Sequence, residues 1–283
     1  MIKGIKKAAA LGVCLFCLCG CGKSKEIVEQ QMSLRSQGME QARAGDYEAA
    51  VASYDKALEL ADMRVGALEM DIAAYKASAL YWGEKPEEAI KTFSTILDLK
   101  KSAEIYLARG LLYRETGNSE AAKTDFSAAM ELTPEKDKVM RGRLSYYMED
   151  YSKAKEYFES AYEAGSKEAL YWQAELYWQM KNEDYAITLY QSYLQEEPEH
   201  QSAYEKVASY QIGQGNYEEA LATLEAGIAL GDKGNLQKLL ADEIAVYEYK
   251  GDFATARSKM ESYLKSYPDD EKAAREYEFL RSR

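Results

Sequence analysis

The chain has 283 residues, which is enough for two ordinary domains or for one extended array of repeats. With 47% hydrophobic residues, 30% charged residues and only four prolines, the composition indicates a folded, helical protein and excludes a disordered one. The net charge of −12 disfavours binding to nucleic acid, because an acidic surface repels phosphate backbones.

The first 21 residues contain all four cysteines, so the remaining chain has no disulfide framework and no thiol chemistry. Three lysines precede an apolar run over residues 8–20, which is typical of a secretory signal and too short to span a bilayer. The segment Leu18-Cys19-Gly20-Cys21 resembles the lipobox of bacterial lipoproteins, whose cysteine receives a diacylglyceryl group and becomes the new N-terminus. The resemblance implies a cleaved signal peptide over 1–20, lipid attachment at Cys21 and a short tether over 21–30. An ordinary cleaved signal is the alternative.

The rest of the chain repeats a short segment whose clearest copy is Gly215-Asn216-Tyr217-Glu218-Glu219-Ala220. Gly215 suits the left-handed backbone at a helix end, and we expect Asn216 to cap the next helix by accepting hydrogen bonds from its free N–H groups. The segment therefore predicts a joint between two helices. Its last residue, called here the reference alanine, recurs at spacings of 39, 33, 32, 32, 34 and 36 residues, as Ala50, Ala89, Ala122, Ala154, Ala186, Ala220 and Ala256.

Two further positions repeat with the reference alanine. Four residues after it stands a large side chain, in the order Tyr54, Phe93, Phe126, Phe158, Tyr190, Leu224 and Met260. Twelve residues before it stand Gly38, Ala77, Gly110, Gly142, Ala174, Ala208 and Ile244, of which six are small. Small residues are needed where two helices cross closely, so these positions predict the crossing point of each helical hairpin.

These residues resemble the 34-residue tetratricopeptide repeat family. The resemblance implies an all-α, right-handed superhelical solenoid of about seven repeats, with a capping helix over 271–283. The repeats would occupy approximately residues 31–64, 70–103, 103–136, 135–168, 167–200, 201–234 and 237–270, together 31–270.

Three departures from the family pattern carry local predictions. Repeat two has Glu84 and Pro86 where glycine and tyrosine are usual, and repeat five is expected to compress its turn over 181–185. The first spacing of 39 residues places extra residues near 61–66. We therefore expect the second helix of repeat one to be longer, or to be followed by a looser loop.

No catalytic pattern stands out. His200 is the single histidine, it follows Pro198, and we interpret it as a solvated loop residue. Paired carboxylates lie at predicted helix ends, where solvated charge is expected, and no phosphate-binding glycine loop is present. The sequence therefore predicts no enzyme, no cofactor and no metal site.

In the tetratricopeptide repeat family the inner face is lined by the first helix of each repeat, at 18, 15, 11, 8 and 7 residues before the reference alanine. Tyr, Trp and Arg at such positions are the residue types that dominate binding hot spots. The alternative is that these aromatic residues only pack between repeats. Carried over to this chain, the positions are Arg35, Arg43, Tyr81, Trp82, Leu107, Leu111, Arg114, Arg143, Tyr146, Tyr147, Tyr171, Glu175, Trp178, Glu205, Ile212 and Tyr249.

The resemblances together imply a lipid-anchored scaffold on the outer face of the bacterial cytoplasmic membrane, or on an outer membrane if the cell has one. The expected partner is another secreted or membrane protein, bound in the groove with acidic groups against the arginines and apolar groups against the rings. Two alternatives stay open. One is a glycan or cell-wall ligand stacked on the rings, and the other is a structural subunit of an envelope, secretion or pilus assembly complex.

Overall fold

The computed structural model describes residues 24–61, 65–231 and 234–283, and over these residues it consists of fifteen α-helices without a strand. The predicted all-α class is confirmed. The predicted signal peptide and Cys21 lie outside the described residues. Within the described part of the chain, no helix has both the length and the apolar character needed to cross a membrane.

The helices follow one another as the first and second helices of seven repeats, and one further helix comes last. The repeats contain, in order, α1 (Lys25–Arg43) and α2 (Tyr47–Glu59), α3 (Ala67–Trp82) and α4 (Pro86–Leu99), α5 (Ala103–Glu115) and α6 (Ser119–Leu132), α7 (Lys138–Tyr147) and α8 (Tyr151–Glu163), α9 (Lys167–Gln179) and α10 (Glu183–Glu196), α11 (Gln201–Gly213) and α12 (Tyr217–Ala229), and α13 (Leu236–Tyr249) and α14 (Phe253–Ser266). The last helix, α15 (Glu271–Arg281), lies in the segment predicted to be the cap.

Two boundaries differ from the predictions. Helix α1 begins at Lys25, with the Ser24 hydroxyl accepting a hydrogen bond from the N–H of Ile27, so it occupies most of the segment expected to be a tether over 21–30. Helix α2 ends at Glu59 and is no longer than the other second helices, so the extra residues of repeat one lie in the connection to α3. Residues 62–64 of that connection are outside the described part of the chain.

Contacts between residues divide the chain into two compact units, one ending at Asp150 and the other starting at Tyr151. Within each unit, successive helices pack against each other along the chain. The buried side chains form several separate clusters, each shared by neighbouring hairpins. Within each unit, neighbouring repeats therefore bury their apolar surface against each other, as a repeat array requires.

All seven turns have the same backbone. The residue five before the reference alanine is left-handed in every hairpin: Gly45, Gly117, Gly215 and Gly251 have φ between 76° and 85°, and Glu84, Glu149 and Lys181 have φ between 61° and 64°. The N–H of the next residue always donates to the carbonyl five residues earlier, over 2.7–3.0 Å. The expected compression of the turn in repeat five is therefore wrong, because Lys181 adopts the conformation that glycine adopts elsewhere.

The side-chain caps are less regular than the backbone. Asp46, Asn118 and Asp252 accept a hydrogen bond from the N–H three residues later, over 3.0, 3.2 and 3.1 Å. Asn216 makes no such bond, so the predicted cap is wrong. Its backbone angles, φ −82° and ψ 64°, resemble those of Asp46, φ −82° and ψ 73°, so the missing bond reflects the orientation of the Asn216 side chain.

In repeats one and three the two helices cross closely at the small residue identified in the sequence. A Cβ atom added to Gly110 would lie 2.6 Å from Cε1 of Phe126, and one added to Gly38 would lie 2.6 Å from Cε1 of Tyr54. Both aromatic rings are at most 1% exposed, so neither can move aside freely. The small residue on the first helix thus leaves room for the aromatic ring of the second helix.

We predict that Gly110→Ala lowers the free energy of unfolding by about 1–3 kcal/mol, because the methyl group overpacks the crossing against Phe126. Gly213→Ala is the matched control, since nothing lies within 4 Å of a Cβ at that helical position. The control should gain roughly 0.5–1 kcal/mol of stability from better helix propensity. Urea denaturation followed by circular dichroism measures both, and equal effects of the two changes would contradict the crossing.

Candidate partner-binding face

The candidate site is the inner face predicted on the first helices. Each first helix that follows another repeat comes after a short connection, which contains a proline before α7 and before α11. In the first unit the predicted residues lie on α1, α3, α5 and α7, and in the second on α9, α11 and α13.

Arg35 is engaged within the chain. Its Nε donates to Oδ2 of Asp71 over 2.6 Å, and its guanidinium lies 4.6 Å from the centre of the Tyr75 ring. Both partners belong to α3, so this contact joins the first helices of consecutive repeats. Its geometry makes Arg35 a structural link, whereas Arg43 at the end of α1 is exposed.

The ends of α3, α5 and α7 bring together arginine and aromatic side chains of the predicted set. Tyr81 contacts Trp82 edge to face, with ring centres 5.2 Å apart, and its hydroxyl donates to the Glu115 carboxylate of α5. Burial, together with Glu115, raises the pKa of Tyr81 far above its ordinary value. The Arg114 guanidinium lies 4.7 Å from the centre of the Tyr147 ring of α7.

Tyr147 also stacks on Phe126 with ring centres 5.7 Å apart, and it meets Tyr146 edge to face at 5.2 Å. Tyr147 thus packs against the core, and Tyr146 packs against Tyr147. Both side chains are half-buried. Arg143, one turn earlier, is half-buried as well. Several residues of the predicted face therefore pack between repeats in this unit.

Leu107 and Leu111 are corrections to the predicted face. They are 4% and 5% exposed and belong to the core cluster of the first unit. Helix α5 packs on both α4 and α6, so these two leucines serve the core and offer no surface to a partner. Periodicity alone could not separate them from their exposed neighbours, because both kinds of position recur with the helical repeat.

In the second unit, Tyr171 lies in a cluster of rings. Its ring centre is 5.7 Å from that of Tyr190, 5.5 Å from that of Tyr193 and 4.6 Å from that of His200. His200 therefore packs between tyrosines, and its interpretation as a solvated loop residue is wrong. Burial, with smaller contributions from nearby carboxylates, raises the pKa of Tyr193 to about 12.

Glu175 and Trp178 lie one turn apart on α9. Glu175 Oε1 accepts a hydrogen bond from the Tyr190 hydroxyl over 2.7 Å and lies 4.0 Å from Nζ of Lys206. The same ammonium lies 5.1 Å from the centre of the Trp178 ring. Lys206 belongs to α11 and was missed in the sequence, although its place near Glu175 follows once consecutive first helices are known to be neighbours.

The remaining predicted residues fall into three settings. Ile212 is half-buried against a core cluster, and Glu205 lies 4.0 Å from Nζ of Lys238 on α13. Tyr249 is 63% exposed, but it stacks on Tyr217 with ring centres 5.9 Å apart. Since Tyr217 begins a second helix, Tyr249 lies beside the turn of the preceding repeat, at the edge of the predicted face.

A pair of carboxyl groups at the end of α13 was not predicted. Burial, with the charge and hydrogen bond of Glu276 on α15, raises the pKa of Glu248 from its ordinary 4.5 to about 7. Two half-buried carboxyl groups side by side retain a proton near neutral pH, because ionising both would place like charges together. Among the described residues, no group of three or more potential metal ligands occurs.

Comparison with known proteins agrees with this geometry. Two family models, both described as tetratricopeptide repeat, match residues 35–104 and 139–200 and residues 103–136, which is more than half of the chain. A tetratricopeptide repeat protein from Parabacteroides merdae is 19% identical, with a TM-score of 0.54 over 89% of this chain and 99% of that one. Yeast Tom70 is 16% identical, with a TM-score of 0.71 over 98% of this chain and 61% of its own. At these identities the likeness shows the fold alone, and curated protein sequences give no match.

The raised pKa of Glu248 predicts a loss of stability as the pH rises. The native state binds the proton more tightly than the unfolded state, so this stabilisation is complete below about pH 4.5 and is lost as the pH passes about 7. Glu248→Gln mimics the protonated form, so we expect a higher melting temperature than wild type at pH 8 and a similar one at about pH 5.

Glu225→Gln is the control for that experiment, because Glu225 is exposed on α12 and the change in charge is the same. Thermal unfolding across the pH range measures all three proteins. If Glu248→Gln and wild type change equally with pH, the carboxyl pair does not share a proton.

Proposed function

The chain belongs to the tetratricopeptide repeat family, and we propose that it is a lipid-anchored scaffold that binds a segment of another secreted or membrane protein. The family favours protein binding, and neither matching family model describes an enzyme. The observation that carries the proposal is a row of arginine and aromatic side chains at the ends of the first helices in the first unit. Its members are Arg43, Tyr81, Trp82, Arg114, Tyr146 and Tyr147.

Contacts within this row support its use as a binding surface. The ring of Trp82 is held by Tyr81, and Tyr147 holds both Tyr146 and the Arg114 guanidinium. Side chains that are already positioned lose little conformational entropy when a partner binds, which is why rigid aromatic residues make effective anchors. A partner segment that crosses α3, α5 and α7 would therefore contact aromatic rings that lie next to the Arg114 guanidinium.

The charges of the row favour a partner with acidic groups. Arg43 is exposed and Arg114 is half-buried over a ring, so both guanidinium groups can donate to a carboxylate. Arg35 is assigned a different role here from the one expected in the sequence. Its bond to Asp71 positions α1 against α3, and the partner would meet that pair as a neutral unit.

The membrane anchor is proposed from the leader. The lipobox-like segment ending at Cys21 and the three preceding lysines support lipid attachment at that cysteine, followed by retention on the outer face of the membrane. Helix α1 begins at Lys25, four residues after Cys21. A lipid at Cys21 would thus hold the start of α1 within about 15 Å of the membrane surface, since an extended residue spans at most about 3.6 Å.

Cys21→Ser tests the anchor. We expect this change to abolish incorporation of radiolabelled palmitate and to release the protein from the membrane fraction, because the thiol is the acceptor of the lipid. Cys19→Ser is the matched control within the same segment and should retain both properties. Labelling that survives in Cys21→Ser would show that the proposed attachment site is wrong.

Photocrosslinking tests the binding row in intact cells. A photoreactive residue at Tyr146 should give a specific protein adduct, whereas one at Leu132, which is 46% exposed on the second helix α6, should not. Tyr146→Ala should weaken binding of the identified partner by roughly 30-fold or more, as for a hot-spot residue. Its helix content should be unchanged, because Tyr147 keeps the contact with the core.

Two results would contradict the proposal. Adducts of equal yield from positions 146 and 132 would indicate contact without a specific face. A glycan adduct at Tyr146 in place of a protein would instead support the carbohydrate ligand left open in the sequence.

A further inference from the structure

The first unit exposes apolar side chains at one edge, where its second helices end. Its described residues expose four large apolar side chains, namely Met32, Val65, Leu99 and Leu132. Leu99 and Leu132 are the last residues of α4 and α6, and Val65 lies in the connection that follows α2. Val65 and Leu99 line the same groove of about 500 Å³. We call Val65, Leu99 and Leu132 the apolar edge. Exposed apolar surface of this kind marks a contact with protein or membrane.

The fold does not require leucine at these helix ends. The position ten residues after the reference alanine holds Leu60, Leu99 and Leu132 in repeats one to three. In repeats four to seven the same position holds Ala164, Glu196, Leu230 and Ser266. A position that accepts a carboxylate in one repeat is not needed for the core. Leu99 and Leu132 are 58% and 46% exposed, so they would gain free energy wherever a contact removed them from water.

The start of α1 lies at the same edge. Nε2 of Gln31 donates to the carbonyl of Ala57 over 2.8 Å, two residues before α2 ends. Lys25 lies six residues before Gln31, so at a rise of about 1.5 Å per residue the start of α1 extends beyond the end of α2. Cys21 precedes Lys25 by four residues. A lipid at Cys21 would therefore lie on the side of the first unit that carries the apolar edge.

The charges beside the apolar edge have both signs. Asp98 precedes Leu99, Lys100 and Lys101 follow it, and all three charged residues are exposed. Lysine side chains cover apolar surface with their stems and keep their ammonium groups in water or among lipid headgroups. Because the opposite charges offset each other, the apolar side chains determine what this edge contacts.

We propose that the apolar edge lies on the lipid bilayer, with Val65, Leu99 and Leu132 at the boundary of the acyl chains. This inference rests on the proposed lipid anchor and adds to it the orientation of the first unit. Lipid is the favoured occupant because the anchor ends at this edge, and tethering gives the edge a high effective concentration at the membrane. Apolar side chains of an interfacial surface enter the bilayer in this way.

The orientation places the binding row away from the membrane. The row lies at the ends of the first helices, whereas the apolar edge lies beside their starts. Helix α3 has 16 residues, so Tyr81 and Trp82 lie about 20 Å from its start. A partner could therefore reach the row without displacing the lipid contact.

Fluorescence quenching at single sites tests the contact. The lipidated chain is reconstituted in phosphatidylcholine vesicles that contain a nitroxide-labelled phospholipid. No cysteine follows Cys21, whose thiol would carry the lipid, so an introduced cysteine takes a single fluorophore. We expect the fluorophore at Leu99→Cys or Leu132→Cys to lose its emission, because the nitroxide lipid contacts it. Glu87→Cys and Glu120→Cys, twelve residues earlier on the same helices and about 18 Å away, should retain theirs.

A double change separates the edge contact from the anchor. Leu99→Glu together with Leu132→Glu should restore the emission of a fluorophore at Val65→Cys, because two carboxylates keep the edge in water. Ser119→Glu together with Thr124→Glu adds the same charge at exposed positions of α6 and should leave that fluorophore quenched. Circular dichroism checks that both double variants keep their helix content, as expected for changes at exposed positions.

The edge contact and the anchor fail separately. If the chain stays with the vesicles but the four labelled positions are quenched equally, or not at all, the edge contact is overturned and the anchor stands. If the chain does not stay with the vesicles, both are overturned. A photoreactive residue at Leu99 that captures a protein in cells would assign the edge to a protein partner and overturn the lipid contact.

Discussion

The close crossing of two helices, documented at Gly38 and Gly110, is the constraint on which the rest of the structure depends. Gly38 and Gly110 leave room for the rings of Tyr54 and Phe126, and a single added methyl group would lie 2.6 Å from either ring. With the ring seated there, one side of the first helix is committed to its own hairpin and the opposite side remains for neighbours and partners. In the last repeat Ile244 occupies the same position and packs with Met260, whose unbranched side chain adapts to a larger neighbour.

The repeat and its turns could be predicted because they depend on local spacing. Every second helix begins three residues before the reference alanine, including those of repeats two, four and five, which have no glycine at the left-handed position of the turn. Glu84, Glu149 and Lys181 adopt the left-handed backbone together with the hydrogen bond that closes the turn. The absence of glycine at these positions therefore does not mean that the turn is different. The predicted cap at Asn216 is wrong because a side-chain cap depends on one side-chain rotamer, which the backbone of the turn does not determine.

The binding face could be predicted only in part. The family resemblance placed Tyr81, Arg114 and Tyr147 on the predicted inner face, but their contacts depend on the register between repeats, which no single repeat encodes. Asp71 and Lys206 were missed because each becomes significant only beside a residue of the adjacent first helix. The burial of Leu107 and Leu111 likewise depends on neighbouring helices.

Ion pairs at the same positions of different repeats show that the fold requires the two charges of a pair to be opposite. It does not determine which of the two positions carries the positive charge. The contact from Arg35 to Asp71 joins the same two repeat positions as that from Glu205 to Lys238, with the signs exchanged. The pair of Arg109 with Asp125 inside repeat three likewise matches that of Glu243 with Lys259 inside repeat seven, again with the signs exchanged.

A position that accepts either sign, provided that its neighbour compensates, lets one backbone present a basic surface in one repeat and an acidic surface in another. The compensated pairs build the array. Glu248 is the opposite case, because burial and the neighbouring Glu276 carboxylate raise its pKa and so disfavour its ionised form, which costs native-state stability at neutral pH.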